Sequence, residues 1–133
     1  MGYKNWQTPL SFFAPIHADK KFTIDVCGSA DDPIRILLPR YYNEAMNGLT
    51  QSWKGERVWC NPPYDSTIPL WLAKACEADY AYYLLPPSVD TAWFHEYVIK
   101  AQYSFYRGRI RFYRDGKPGD APRAGNLLVE FGS

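Results

Sequence analysis

Several features that mark particular classes of protein are missing from this sequence. Its three cysteines, Cys27, Cys60 and Cys76, are scattered without a Cys-x-x-Cys pair, and it has only two histidines. This count and spacing support neither a disulfide framework nor a zinc site, so we expect no bound metal. The thiols are instead expected to be reduced and to pack as small apolar groups.

Long apolar runs are also missing. No stretch approaches the roughly 18 consecutive apolar residues that a membrane span needs. The N-terminal residues MGYKNWQTPL lack the charged and apolar regions of a secretory signal. We therefore expect a cytoplasmic protein with no membrane partner. Because repeats and linkers are absent too, 133 residues with 47% apolar content predict one domain, 1–133, with a sizeable core.

An excess of charge is missing overall but present locally. The net charge is +1, yet residues 100–123 contain seven basic residues and only two acidic ones. Such a strip can follow a polyanion while the whole molecule stays near neutral, although a solvated surface hairpin would look the same. The residues that we predict to contact a polyanion are Arg107, Arg109, Arg111, Arg114 and Lys117.

Short apolar runs alternate with amphipathic stretches along the chain. The runs predict strands at 22–26, Arg57–Cys60, Tyr80–Leu85, 103–106, 110–113 and 127–131. Helical spacing predicts helices over 68–76 and 93–101, and Thr8-Pro9 predicts the start of another, with Thr8 as its N-cap. The first of these helices would bury Ile68, Trp71, Leu72, Ala75 and Cys76. The alternation indicates a doubly wound α/β sheet, completed by a C-terminal antiparallel hairpin around the turn at 115–119.

Three of the predicted strands end in distinctive short sequences. These are Asp-Val-Cys-Gly at 25–28, Asn-Pro-Pro-Tyr at 61–64 and Pro-Pro-Ser at 86–88. Ligands of open α/β sheets bind beyond the carboxyl ends of the strands. We therefore expect these three segments to line one edge of the sheet.

The sequence Asn-Pro-Pro-Tyr suits the methylation of a planar amine such as adenine N6. The lone pair of that amine is delocalised into the ring, and two hydrogen-bond acceptors on its hydrogens would stabilise the charge that develops during attack. The Asn61 side-chain oxygen and the Pro62 carbonyl are the candidate acceptors, and Pro63 would fix the direction of that carbonyl. Tyr64 could stack on a base drawn out of its helix. A tight turn that only ends a strand would use the same residues.

Other short sequences accompany this tetrapeptide in a fixed order. They are Trp-Gln-Thr-Pro at 6–9, Phe-Thr-Ile-Asp-Val-Cys at 22–27, Gly-Leu at 48–49 with Trp53, Val-Trp-Cys before Asn61, Trp71 with Lys-Ala at 74–75, Leu-Leu-Pro at 84–86, Asp-Thr-Ala-Trp-Phe-His at 90–95 and Gly-Arg-Ile-Arg-Phe at 108–112. With these segments the chain resembles, nearly end to end, the phage-type DNA N-6-adenine methyltransferase family, often called Dam-like.

The resemblance implies a compact Rossmann-like sheet that uses S-adenosyl-L-methionine to methylate adenine N6 in DNA. The implied catalytic residues are Asn61, Pro62, Pro63 and Tyr64. The implied cofactor-binding residues are Trp6, Thr8, Pro9, Asp25, Cys27 and Asn47. The implied partner is double-stranded DNA with a flipped adenine, held by the basic hairpin. The modified DNA would belong to a phage or prophage in a bacterial host, where methylation masks it from nucleases.

Two departures from the family pattern leave alternatives open. The glycine-rich cofactor loop is reduced to Cys27-Gly28-Ser29, and Asn47 stands where the family often has an acidic residue. These changes favour a catalytically silent module that binds DNA or a protein. The tetrapeptide also suits other planar amines, such as RNA adenine or a glutamine amide. The block at 90–95 favours the DNA-directed family, and an active methyltransferase is the leading hypothesis.

Overall fold

The fold is organised around a five-stranded mixed sheet. The computed structural model describes residues 6–119 and 124–132. The strands of the sheet are β1 (Ile24–Asp25), β2 (Arg57–Cys60), β3 (Tyr80–Leu85), β4 (Gln102–Tyr106) and β7 (Asn126–Gly132). Their order is β1-β2-β3-β7-β4, and β1, β2 and β3 are parallel. Strand β7 runs antiparallel to both β3 and β4.

Short helical segments connect and cover these strands. They are α1 (Leu10–Lys20), α2 (Ile68–Ala73), a π-helical turn at Phe94–Val98 and 3-10 turns at Pro33–Ile36, Gly48–Thr50 and Lys74–Glu77. Within the described residues, none of the helices is long and apolar enough to cross a membrane. The molecule is therefore a mixed α/β structure whose elements are mostly short.

The core occupies both faces of the sheet because the buried strands alternate their side chains. All six residues of β3 are buried. Tyr83 and Leu85 pack with α2 and the π-helical turn on one face, whereas Tyr82 and Leu84 pack with α1 and the turn at Pro33–Ile36 on the other. Strand β3 is thus covered on both sides, which explains why its sequence reads as a continuous apolar run.

The predicted strands at Arg57–Cys60 and Tyr80–Leu85 are confirmed, and the C-terminal region differs from its prediction. Residues 127–131 were expected to form a hairpin with 110–113 but lie in β7, between β3 and β4. Of 110–113 only Tyr113 is in a strand, β5 (Tyr113–Arg114), which pairs with β6 (Lys117–Pro118). Ile110 and Phe112 are instead buried on the face of the sheet that α1 covers. Contacts with that face, rather than strand pairing, therefore hold this segment.

Two helix predictions are corrected at their ends. Helix α1 begins at Leu10 with Pro9 as its N-cap, and Thr8 does not cap it, since the Thr8 hydroxyl accepts a hydrogen bond from Asn61. Cys76 is exposed rather than buried. The helix tightens to 3-10 geometry at Lys74–Glu77, and three residues per turn rotate Cys76 away from the apolar face.

Candidate active site at the carboxyl edge of the sheet

The carboxyl ends of the three parallel strands meet at one edge, as the sequence predicts. In the register, Asp25 lies opposite Trp59, and Cys60 lies opposite Tyr83. The segments that follow β1, β2 and β3 therefore emerge side by side. Because β7 is antiparallel, its first residue, Asn126, lies at this same edge.

Asn61 is held at the end of β2 by the segment that precedes α1. Its side-chain Nδ2 donates to the Thr8 hydroxyl at 3.2 Å. Asn61 is 3% exposed and Thr8 is 1% exposed. The nitrogen end of the Asn61 amide thus faces Thr8, and the carbonyl end is turned away from it. Pro62, which follows, is buried, and two successive prolines restrict the backbone of the turn.

Tyr64 is anchored through its hydroxyl group. The hydroxyl donates to the Leu84 carbonyl at 3.2 Å and accepts from Asn126 Nδ2 at 3.1 Å. Burial raises the pKa of Tyr64 well above its ordinary value, so the hydroxyl stays protonated at neutral pH. The Asn126 Nδ2 also donates to the Leu85 carbonyl at 3.3 Å. Sequence analysis did not identify Asn126, because its partners, Tyr64 and Leu85, are 62 and 41 residues away in the sequence.

The loop after β1 is built around a buried ion pair. The Asp25 carboxylate pairs with the Arg35 guanidinium, and its Oδ1 accepts from the backbone N–H of Cys27 at 3.1 Å. A Cβ on Gly28 would lie 2.5 Å from Asp25 Oδ2, so only glycine fits there. Cys27 is buried in the core. Asp25 therefore holds the loop after β1 through its ion pair with Arg35 and its bond to the Cys27 N–H, and Cys27 anchors the loop in the core.

A buried carboxyl group next to this ion pair titrates near neutral pH. Asp32 is 8% exposed, and its Oδ1 accepts from the Ile34 backbone N–H at 3.1 Å. Burial first, and then the negative charge of Asp25, raise the pKa of Asp32 to about 7. In the unfolded chain the pKa of an aspartate is about 3.9.

This difference predicts how stability depends on pH. Between pH 4 and 7 the folded state holds a proton at Asp32 that the unfolded state has lost, so the free energy of unfolding falls as pH rises, by on the order of 4 kcal/mol. Asp32→Asn keeps an acceptor for Ile34 and removes the titrating group, and we expect a flatter profile. Urea unfolding at pH 5 and pH 8 measures this. If the free energy of unfolding changes equally with pH in the wild type and in Asp32→Asn, the prediction is wrong.

A cavity of about 470 Å³ opens beside the loop after β1. Its lining includes Gly28, Ser29, Tyr41, Asn43 and Glu44. Asn47 lies at the end of the turn that forms one wall: its backbone N–H donates to the carbonyls of Asn43 and Glu44. The Asn47 side chain is exposed, and its Oδ1 accepts from the Leu49 backbone N–H at 3.2 Å.

Gln7 connects this loop to the basic hairpin, and sequence analysis assigned it no role. It is fully buried. Its Nε2 donates to Asp31 at 2.8 Å and to Ser29 at 3.3 Å, while its Oε1 accepts from the Gly116 N–H at 3.0 Å. Its backbone forms a two-bond antiparallel bridge with Tyr113. A glutamine between Trp6 and Thr8 gives no sequence signal of this role.

Trp6 lies on the hairpin side of the same segment. It is partly buried and packs against the core on the side of the sheet that α1 covers. The Arg114 guanidinium lies over its ring, 5.7 Å from the centroid, a distance at which the cation is attracted to the ring face. Trp6 thus contacts the hairpin, and the structure brings Thr8, Asn61 and Tyr64 to the edge of the sheet.

The predicted polyanion-binding residues are exposed, and two of them line a second cavity. Arg107, Arg109, Arg111, Arg114 and Lys117 all face solvent. Arg109 and Arg111 line a cavity of about 420 Å³ together with Pro9, Phe12 and Tyr106. The Arg111 Nε also donates to the Gly119 carbonyl at 2.6 Å. Of the basic strip, Arg123 lies outside the described residues, as does Asp120.

The chain matches one protein family over almost its whole length. The family model described as "DNA N-6-adenine-methyltransferase (Dam)" matches residues 3–131. A curated relative, the DNA N-6-adenine-methyltransferase of Haemophilus phage HP1 (strain HP1c1), is 26% identical over 136 residues, covering 95% of this chain and 77% of the relative. No solved structure gives a significant match.

Proposed function

Because this chain belongs to the DNA N-6-adenine-methyltransferase family, we propose that its carboxyl-edge site performs the family's reaction. The protein is an adenine-specific DNA methyltransferase. The comparisons support neither a silent binding module nor a different planar amine as substrate. The observation that carries the assignment of the site is the hydrogen bond from Asn61 to Thr8 at the end of β2.

Asn61 and Pro62 are proposed to bind the exocyclic amine of the target adenine. The nitrogen end of the Asn61 amide is bonded to the Thr8 hydroxyl, and Oδ1, at the other end of the amide, is proposed to accept one amine hydrogen. The Pro62 carbonyl provides the second acceptor, and Pro63 limits its movement. Acceptors on both amine hydrogens localise the lone pair on nitrogen and stabilise the positive charge that forms when it attacks a methyl group. The nitrogen then loses a proton to solvent, and no dedicated base is assigned.

Tyr64 is proposed to form the wall on which the flipped adenine stacks. Its hydroxyl is held by two partners from β3 and β7, so the ring has little freedom to reorient. A base taken out of the helix loses a few kcal/mol of stacking and pairing, and stacking on an aromatic ring recovers about 1–3 kcal/mol. A ring that is already in position makes this recovery larger, because less side-chain entropy is lost.

The cavity beside Gly28 is proposed to bind the methyl donor, S-adenosylmethionine. When bound, this cofactor supplies a methyl group activated by its sulfonium centre. The cavity fits it chemically, because Glu44 in its lining offers a carboxylate to ribose hydroxyls. The Asn47 Oδ1 has a second lone pair for an adenine amine. Trp6, Pro9, Asp25 and Cys27 are assigned to the cofactor by resemblance alone, and Asp25 acts through the loop it supports.

The exposed basic residues of the strip, from Arg107 to Lys117, are proposed to hold the DNA by its phosphates. If Arg107 and Arg109 each neutralise one phosphate, replacing either with alanine lowers the slope of log affinity against log salt by about 0.9. Affinity should fall by a similar factor for any DNA sequence.

Fluorescence anisotropy with a labelled duplex at several salt concentrations measures both the slope and the affinity. Lys54→Ala, on an exposed turn before β2, is the matched control. An unchanged slope in both arginine variants would exclude Arg107 and Arg109 from the interface.

A methyl-transfer assay tests the function itself. The protein is incubated with labelled S-adenosylmethionine and with unmethylated DNA, RNA or a protein mixture, and the label is identified after digestion. We expect N6-methyladenine from DNA and far less label elsewhere. Calorimetric titration with S-adenosylmethionine, and with methionine alone, checks the cofactor. No label in DNA and no cofactor binding would overturn the proposal.

The biological setting is proposed from the phage relative. Expression in a methylation-deficient bacterium, in whose cytoplasm the enzyme would act, should produce N6-methyladenine in phage DNA replicated there. Sequencing of that DNA would give the recognition site. Resistance of the DNA to a nuclease that cuts only the unmethylated site would support the role in masking, and full sensitivity despite methylation would contradict it.

A further inference from the structure

Asn126 occupies a position at the site edge that no sequence motif marks. It is the first residue of β7, just before the pair formed by Leu127 and Leu85, and it is 3% exposed. The residue before it, Gly125, lies close to the Arg109 side chain: a Cβ added at Gly125 would be 3.3 Å from Arg109 Nη1. Asn126 therefore lies next to the Tyr64 hydroxyl and next to the basic strip.

The hydrogen bonds of Asn126 determine the orientation of its amide. The Leu85 carbonyl can only accept, so the group 3.3 Å from it must be Nδ2, which also donates to the Tyr64 hydroxyl at 3.1 Å. The opposite end, Oδ1, is a buried acceptor without a hydrogen-bond partner among residues 6–119 and 124–132. Leaving such a group unpaired costs about 1–3 kcal/mol.

The unpaired Oδ1 of Asn126 lowers stability, whereas the bond donated by its Nδ2 helps to hold Tyr64. A leucine has the same branched shape with larger methyl groups and would leave no unpaired acceptor, so the cost of the unpaired Oδ1 offsets much of what the two bonds from Nδ2 contribute to stability. The donation from Nδ2 occupies the Tyr64 oxygen while the Tyr64 hydrogen points to the Leu84 carbonyl. The hydroxyl is thus held at both its donor and its acceptor side.

We infer that Asn126 is a positioning residue for the methyl-transfer reaction, which holds the Tyr64 ring in the orientation that the target adenine stacks on. This inference rests on the proposed role of Tyr64. Asn126 does not need to contact the reacting atoms, since it acts through the Tyr64 hydroxyl. Its loss should lower the rate of methyl transfer without loosening the fold.

The test uses Asn126→Leu, with Gln102→Leu as the matched control at the other end of the β4–β7 ladder. We expect Asn126→Leu to change Tm little, because removal of the unpaired acceptor offsets the two lost hydrogen bonds, and to lower kcat/KM for DNA about tenfold. The control should leave both unchanged. A residue that only braces the fold would give the opposite result, a lower Tm with activity lost in proportion. If Asn126→Leu fails to fold, Asn126→Ala, which removes the amide without adding volume or charge, replaces it.

A double-mutant cycle with Tyr64→Phe shows whether Asn126 acts through the hydroxyl. In the Tyr64→Phe background the hydroxyl is gone, so Asn126→Leu should lower kcat/KM by less than about twofold further. A full tenfold loss in both backgrounds would overturn the inference, as would wild-type kinetics in Asn126→Leu. Both results require an active wild-type enzyme, whereas an inactive wild type would contradict the proposed function instead.

A fluorescent base gives an independent readout. In a duplex with 2-aminopurine at the mapped target position, a base stacked on Tyr64 is quenched and a base that is flipped but unstacked is bright. We expect brighter complexes with Asn126→Leu than with the wild type at equal saturation. Equal brightness would contradict the positioning role.

Discussion

Asn61→Ala is expected to lower kcat by about 10² to 10³-fold, the usual effect of removing one group that stabilises transition-state charge. The variant loses an acceptor for the adenine amine and also the donor to Thr8. Cofactor affinity should change far less, because the cavity proposed for the cofactor is lined by the loop after β1 and the 43–45 segment. Single-turnover label transfer and calorimetry measure the two quantities separately.

Two further variants separate the chemistry at Asn61 from its structural role. Asn61→Asp keeps an acceptor, and the Thr8 hydroxyl can donate to it, so this variant should retain more activity than Asn61→Ala. Gln102→Ala removes an amide from the exposed start of β4 and should behave as wild type. The assignment of Asn61 fails if Asn61→Ala turns over at the wild-type rate, or if its loss is matched by a fall in Tm large enough to unfold the protein.

Gly48→Ala is expected to cause the largest loss of stability of any small substitution discussed. A Cβ at Gly48 would lie 2.0 Å from the Val26 carbonyl oxygen and 3.1 Å from the Trp71 ring. Since the first clash is with backbone, relief requires the 3-10 turn at Gly48–Thr50 to move away from β1. We expect a cost of about 3 kcal/mol and a fall in Tm of roughly 10 °C.

The same substitution should also weaken cofactor binding. Asn47, next to Gly48, is hydrogen-bonded to the segment that lines the cavity, so a displaced turn changes the shape of its wall. Gly55→Ala is the matched control: Gly55 has φ +75° and nothing within 4 Å of a Cβ, so it loses only about 1–2 kcal/mol of backbone preference. Thermal melts and calorimetry compare the two. Equal losses in the two variants would show that the contact with Val26 is unimportant.

Elements with strong local signals were predicted correctly. Strands β2 and β3 are dense runs of apolar and β-branched or aromatic residues, and prolines mark the segments that follow them, so their bounds matched. The 22–26 strand was predicted longer than β1, which pairs only at Ile24–Asp25. The segment 110–113 also alternates apolar residues, but it packs against α1 and the sheet face, because burial there outweighs strand pairing.

The site divides in the same way. The tetrapeptide at 61–64, whose catalytic role stays a prediction, was singled out because its chemistry is local in sequence. Gln7 and Asn126 were not, because Gln7 bonds to Gly116, 109 residues away, and Asn126 bonds to Tyr64, 62 residues away. No periodicity or spacing within a window of sequence carries information about such contacts.

The sequence by itself determined the family, the reaction class and the residues of the turn after β2, because these depend on residue types at short spacing. Only the tertiary structure decided which groups hold that turn in place: Thr8 on Asn61, and Asn126 on Tyr64. Hydrogen bonds between distant segments form only when the order of the strands in the sheet brings those segments together. That order depends on the packing of the whole core, which no short segment contains.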